Sequence, residues 1–121
     1  MSSKYALFIG RWQNLHDGHD WLFNQKIKEN IPVLIAIRDV DTDENNPRSA
    51  QDVKEILEIR YQELISIGKV RIIIIPDIVG VYYGRDVGYE VKEFVPPPEV
   101  AQISGTKIRQ ALKEATKNAN I

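Results

Sequence analysis

The chain holds two histidines, His16 and His19, three residues apart in the stretch Gly10-Arg11-Trp12-Gln13-Asn14-Leu15-His16-Asp17-Gly18-His19. At the start of a helix, that spacing lets both imidazoles reach one point. The stretch follows an apolar run and precedes a helical pattern. In an open parallel sheet, ligands bind at the carboxyl ends of the strands. A helix that begins there aims free N–H groups at the crevice, a natural anion site. Gly10 lets the chain turn after the strand, and Gly18 lets backbone or ligand approach closely. Two imidazoles and the Arg11 guanidinium around a helix N-terminus suit a polyphosphate. Two other readings stay open. The pair could ligate a metal, although a zinc site needs at least one further protein ligand and the chain has no cysteine. The pair could also be structural, merely capping the helix.

A second stretch, Ile103-Ser104-Gly105-Thr106-Lys107-Ile108-Arg109, carries hydroxyls, a glycine and two cations. Ser104 or Thr106 can cap a final helix. Lys107 and Arg109 in its first turn oppose the helix dipole unless an anion neutralises them. Phosphate would do so; the bland alternative is a solvated charged face. Asp39, Asp41 and Asp43 imitate the start of a calcium loop, but Glu44 stands where that loop needs glycine and Ala50 where it needs glutamate. That segment reads as an acidic loop, and no protein-held metal is expected.

Short elements must position these groups. Tyr5–Ile9, Val33–Ile37 and Val70–Ile75 are apolar, rich in β-branched residues and mostly without alternation, as strands buried on both faces are. Between them, 17–29 reads as a helix with acids in its first turn and lysines in its last. The pattern over 49–67 places Val53, Ile56, Leu57, Tyr61 and Leu64 on one stripe. Ser49 and Asp52 resemble a capping box, and Gly68 is placed to stop the helix. The first 75 residues therefore read β-α-β-α-β, half of an α/β doubly wound parallel sheet with helices on both faces. Further on, 79–83 and 89–94 are expected as short strands around a glycine-bearing turn. Pro96-Pro97-Pro98 bars regular structure, and a closing helix is expected from Ser104 or Thr106 to Lys117, with Ile108, Ala111 and Leu112 facing inward.

The 121 residues fit one compact domain, 1–121. Apolar residues make up 43% and charged residues 27%, as in ordinary globular proteins. Sixteen basic against seventeen acidic groups give a net charge of -1, which excludes the strongly basic footprint of a general nucleic-acid binder. Without cysteine there is no disulfide, thiolate zinc site or cysteine nucleophile. No apolar run approaches the roughly 20 residues that span a bilayer, and the start lacks a secretory signal, so no membrane association and a cytoplasmic setting are expected.

At the two motifs the chain resembles the nucleotidylyltransferase superfamily. His16-Asp17-Gly18-His19 is similar to its H-x-G-H signature, and Ile103 through Arg109 to its I-S-x-T-x-x-R signature. Gly10-Arg11-Trp12-Gln13 resembles the G-R-F-Q of archaeal-type nicotinamide-nucleotide adenylyltransferases, Asn46-Pro47-Arg48-Ser49-Ala50 their N-P-F-T-A, and Gly88-Tyr89-Glu90-Val91 their G-Y-E-V. Asn14 stands where those have proline and Arg48 where they have an aromatic. The segment 77–88 is too short for their acceptor-binding helix, so the chain resembles short cytidylyltransferase-like domains with a reduced or rebuilt acceptor site.

The resemblance implies a Rossmann-like fold and transfer of a nucleotidyl group, AMP from ATP before CMP from CTP, to a small phosphorylated acceptor with release of pyrophosphate. His16, His19 and Arg109 would be catalytic. Ile9, Gly10, Arg11, Trp12, Gly18, Ser104, Gly105 and Thr106 would bind the nucleotide, and Mg2+ would come with the triphosphate. Arg38 and Arg85 are candidates for an acceptor phosphate, each with a surface arginine as the alternative. A nucleotide-binding module without turnover is the rival from another class, and a scaffold domain with structural histidines is a third. Relatives commonly associate, so a homo-oligomer is expected.

Overall fold

A computed structural model of the chain describes residues 4–85, 88 and 90–97. The elements run β1 (Ala6–Gly10), α1 (Asp17–Ile27), β2 (Val33–Asp39), α2 (Ala50–Arg60), α3 (Gln62–Ser66) and β3 (Val70–Pro76). The β-α-β-α-β reading of the first 75 residues holds. The strands form one parallel sheet in the order β1-β2-β3. Ala6 stands opposite Val33 and Gly10 opposite Ile37; Val33 stands opposite Val70 and Asp39 opposite Pro76. All three strands therefore end at one edge, and the loops that follow them, including the one that carries the histidines, gather there.

The central strand explains why its residues are apolar throughout. Val33, Ile35 and Ile37, which alternate onto one face, are completely buried. Phe23 of α1 packs with Val53 and Leu57 of α2, and with Tyr61, in the same core. The described helices thus share one apolar layer with β2, and burying that layer is the main force holding them on the sheet.

The helix ends follow from single residues. Ser49 Oγ accepts from the Asp52 N–H at 3.1 Å, the cap expected from the sequence. The expected 49–67 helix is two pieces joined at Tyr61, whose φ of -111° and ψ of 23° depart from helical values. It stops where Gly68 adopts φ +77°. There the Gly68 N–H donates to Ile65 O at 3.1 Å and the Lys69 N–H to Leu64 O at 2.8 Å, the paired closure of a left-handed C-terminal cap. The helix expected over 17–29 ends at Ile27 in the same manner, with Asn30 at φ 62°. Its closing bonds are Asn30 N–H to Ile27 O and Ile31 N–H to Lys26 O. Asparagine is the non-glycine residue best suited to that conformation.

Two expected strands are not formed. Residues 79–83 and 90–94 lie outside regular structure. Val79 is 97% exposed and Tyr82 80%, so the apolar residues of the first stretch are not buried on any sheet face. The Tyr82 ring instead folds back on Gly80, where a Cβ would lie 2.8 Å from its hydroxyl. Strand preference is expressed only where a pleated, half-buried surface receives the side chains. Phe94 stacks on Phe8 of β1 with ring centroids 6.3 Å apart, and Lys26 lies 3.8 Å from Glu90, so the segment packs by side chains. The expected closing helix from Ser104 or Thr106 to Lys117 lies outside the described residues. Among the described residues, no helix is long and apolar enough to cross a membrane.

The Ser49 cap yields a direct check. Ser49→Ala should lower unfolding free energy by about 1 kcal/mol, read from urea denaturation, with unchanged far-UV circular dichroism in the folded state.

Candidate functional site

The chain leaves β1 at Gly10 and must reverse to start α1 at Asp17. It does so through Trp12, which takes φ +51°, a conformation that bulky residues adopt only when their surroundings enforce it. The enforcement is visible. The indole N–H donates to Ala36 O at 3.1 Å, and the indole packs against Phe23 at 5.1 Å between centroids. Gly10 makes room: a Cβ there would lie 2.8 Å from Trp12 Cε2 and 3.0 Å from Cζ2.

The next residues are clamped to the loop before α2. Gln13 and Asn14 are buried. Gln13 Oε1 accepts from the Arg48 N–H at 2.9 Å, and its Nε2 donates to Arg48 O at 3.0 Å. The Arg48 guanidinium donates to Gln13 O and, at 2.8 Å, to Asn14 Oδ1. Asn14 and Arg48, the two departures from the resembled sequence pattern, therefore bond to each other.

His16 is the N-cap of α1. Its Nδ1 accepts from the Gly18 N–H at 3.0 Å, which in the neutral ring leaves the proton on Nε2. Among the described residues, Nε2 itself is buried without a hydrogen-bond partner, as is His19 Nδ1. The two rings stack, with centroids 4.1 Å apart and planes 22° apart. Trp12 meets His19 edge-on at 5.3 Å. Burial, aided by the nearby Arg60 charge, lowers the His16 pKa. Burial and then the His16 ring push His19 down to about 4. Both imidazoles are thus neutral at pH 7.

Beneath them, Asp20 is held by α2. Arg60 Nε donates to Asp20 Oδ1 at 2.9 Å, its second nitrogen reaches Oδ2, and the Tyr61 hydroxyl donates to Oδ1 at 2.6 Å. Burial works to raise the Asp20 pKa, but these bonds outweigh it and hold the carboxyl low. Burial and the bond to Asp20 drive the Tyr61 phenol upward. The sequence shows Tyr61 only as a member of an apolar stripe and gives no sign of Arg60, because Asp20 lies 41 and 40 residues from them and had a sufficient explanation as a helix-dipole charge.

The other predicted positions divide. Gly10, Trp12, Gly18, His16 and His19 come together around the start of α1, and Ile9 lies in register with Ala36 of β2. Trp12 spends its N–H and its ring on the protein, so it supports the histidines from behind. Arg11 is exposed, and its charge adds to the forces that lower Asp43 and Asp77. Arg38 donates to Asp77 Oδ1 at 2.9 Å and to Ile78 O at 3.4 Å, so its guanidinium ties β2 to the chain after β3. Arg85 is exposed. In the acidic loop, Asp43 Oδ1 accepts from the Asn45 and Asn46 N–H groups at 2.8 and 2.7 Å, which closes a turn. Ser104, Gly105, Thr106 and Arg109 lie outside the described residues. Among the described residues, no group of three or more His, Cys, Asp or Glu could hold a metal. In comparisons with known proteins, no family model matches the sequence and no curated protein matches it.

Two measurements follow. Gly10→Ala should displace the Trp12 indole and cost about 1–3 kcal/mol of stability, seen as a lower melting temperature and altered tryptophan emission. Both histidine pKa values are lowered in the fold from 6.5. The unfolded chain therefore binds more protons below that pH. The stability tied to the neutral pair is complete above pH 6.5 and should be lost as pH falls toward about 4. Urea midpoints across that window should drop, and less steeply in His19→Gln.

Proposed function

We propose that the chain is a nucleotidylyltransferase that moves AMP from ATP to a small phosphorylated acceptor. One observation carries the reading. Two stacked neutral imidazoles stand at the N-terminus of α1, on the carboxyl edge of a parallel sheet, each with a buried ring nitrogen that has no partner among the described residues. A buried N–H without an acceptor costs about 1–3 kcal/mol, and a phosphate oxygen would relieve it. The positive end of the α1 dipole adds to the same spot.

In this reading an acceptor phosphate oxygen attacks the α-phosphorus. The new O–P bond forms as the bridge to the β-phosphorus breaks, and pyrophosphate leaves. The protein's task is alignment and neutralisation of developing charge. His16 Nε2–H and His19 hold the bridging region, Arg109 and Arg11 the outer phosphates, and Ser104, Gly105 and Thr106 add hydroxyl and backbone donors. The base lies in the crevice near Ile9 and Gly10. Magnesium would come with the triphosphate; among the described residues no group of three or more His, Cys, Asp or Glu could hold it. The parallel order β1-β2-β3 is what one half of a doubly wound, Rossmann-like sheet requires, and that completed arrangement is part of the proposal, as are the cytoplasmic setting and homo-oligomeric association.

Pyrophosphate release, screened with four triphosphates against a panel of small phosphates in the presence of magnesium, tests the reading. Release with ATP supports it, release with CTP alone reassigns the donor, and saturable binding without release leaves a nucleotide-binding module. His19→Ala should lose 10²–10³ in rate, about 3–4 kcal/mol, with the fold intact. Arg109→Ala should weaken triphosphate binding and turnover together.

A further inference from the structure

The His19 ring is not fixed through its Nδ1, which is buried and has no hydrogen-bond partner among the described residues. What holds it is a closed circuit of contacts. His19 stacks on His16 and meets the edge of Trp12; Trp12 packs on Phe23; Phe23 meets Tyr61 edge-on at 5.6 Å. The Tyr61 hydroxyl then returns to Asp20, the residue directly after His19, where Arg60 completes the clamp. Tyr61 can reach because it sits at the joint between α2 and α3, off helical geometry.

We propose that Tyr61 and Arg60 are positioning residues for the histidine pair: by gripping Asp20 they fix the first turn of α1, and through the aromatic circuit they fix the stacked imidazoles. The proposal rests on the reading of that pair as the phosphate-binding part of the site. The charged and titratable groups that act on the pair are Asp17 and Asp20 from α1 and Arg60 from the end of α2, with the Tyr61 hydroxyl behind Asp20. A simple staple between two helices would make the same contacts. The two roles differ in what they move. A staple changes the melting temperature, whereas a positioning contact changes the rings.

Tyr61→Phe is the clean variant, because it keeps the ring on Phe23 and alters no formal charge at pH 7. With two histidines in the chain, the imidazole C2–H resonances are two lines, and their cross-relaxation reports the stack directly. In the folded variant we expect weaker His16–His19 cross-relaxation, a His19 line displaced from its ring-current position beside Trp12, and ATP affinity reduced on the order of tenfold, since small misplacements in a site carry large penalties. Arg60→Gln should do the same, and Arg60→Lys should restore it only in part, because an ammonium cannot span both carboxylate oxygens. Unchanged lines and cross-relaxation in folded Tyr61→Phe and Arg60→Gln overturn the proposal, whatever happens to the melting temperature. If the unaltered protein binds no ATP, the functional reading fails, while the resonance lines still decide the positioning role.

Discussion

The hydrogen bond from the Gly18 N–H to His16 Nδ1 is the constraint from which the site's chemistry descends. An N-cap side chain must accept. Serine or aspartate would do so without consequence, but an imidazole that accepts at Nδ1 is committed to one tautomer and one protonation state. Its proton goes to Nε2, which is buried without a partner among the described residues. Protonating the ring would place a second proton against the Gly18 N–H, so the cap itself opposes the charged form, in the same direction as burial. The start of α1 thereby converts a helix cap into an oriented, uncharged donor.

Keeping that donor in place costs the fold elsewhere. Trp12 adopts a left-handed backbone, and such strain persists only where neighbours over-determine it. Three neighbours do: Gly10 yields the space, Ala36 O accepts from the indole N–H, and Phe23 receives the ring. The loop is then anchored at its far end by Gln13, Asn14 and Arg48. A buried glutamine that exchanges two hydrogen bonds with a neighbouring backbone copies the pairing of a β-ladder, so a loop without regular structure satisfies its polar groups as a strand would.

Legibility in the sequence followed the range of the interactions. The three strands, the first helix, the Ser49 cap and the Gly68 stop are local consequences of residue type and appear within a residue or two of where the pattern placed them, whereas the 49–67 helix is broken at Tyr61. The histidines were legible as a pair because three residues separate them. The Asp20–Arg60–Tyr61 clamp and the Arg48–Asn14 bond were not, because each joins residues more than 30 positions apart whose local surroundings announce nothing. Residues 79–83 misled for the opposite reason. Val79, Val81, Tyr82 and Tyr83 have the composition of a strand, but composition cannot supply the neighbouring edge on which a strand depends.

The guanidinium groups complete the electrostatic logic of this edge. Arg38 is bound to Asp77, Arg48 to Gln13 and Asn14, and Arg60 to Asp20. Each spends donors on protein oxygens, and two of them neutralise carboxylates near the ends of the strands and of α1. Cations that would attract any anion are thereby converted into structural ties. Apart from the exposed Arg11, what the described part of the site can offer a phosphate is then mainly short-range: an oriented imidazole N–H. Donors of that kind act only on an oxygen within hydrogen-bonding distance and fall away steeply with misalignment. A site that relies on them must hold its rings more rigidly than one that relies on charge, and the aromatic circuit through Trp12, Phe23 and Tyr61 supplies that rigidity.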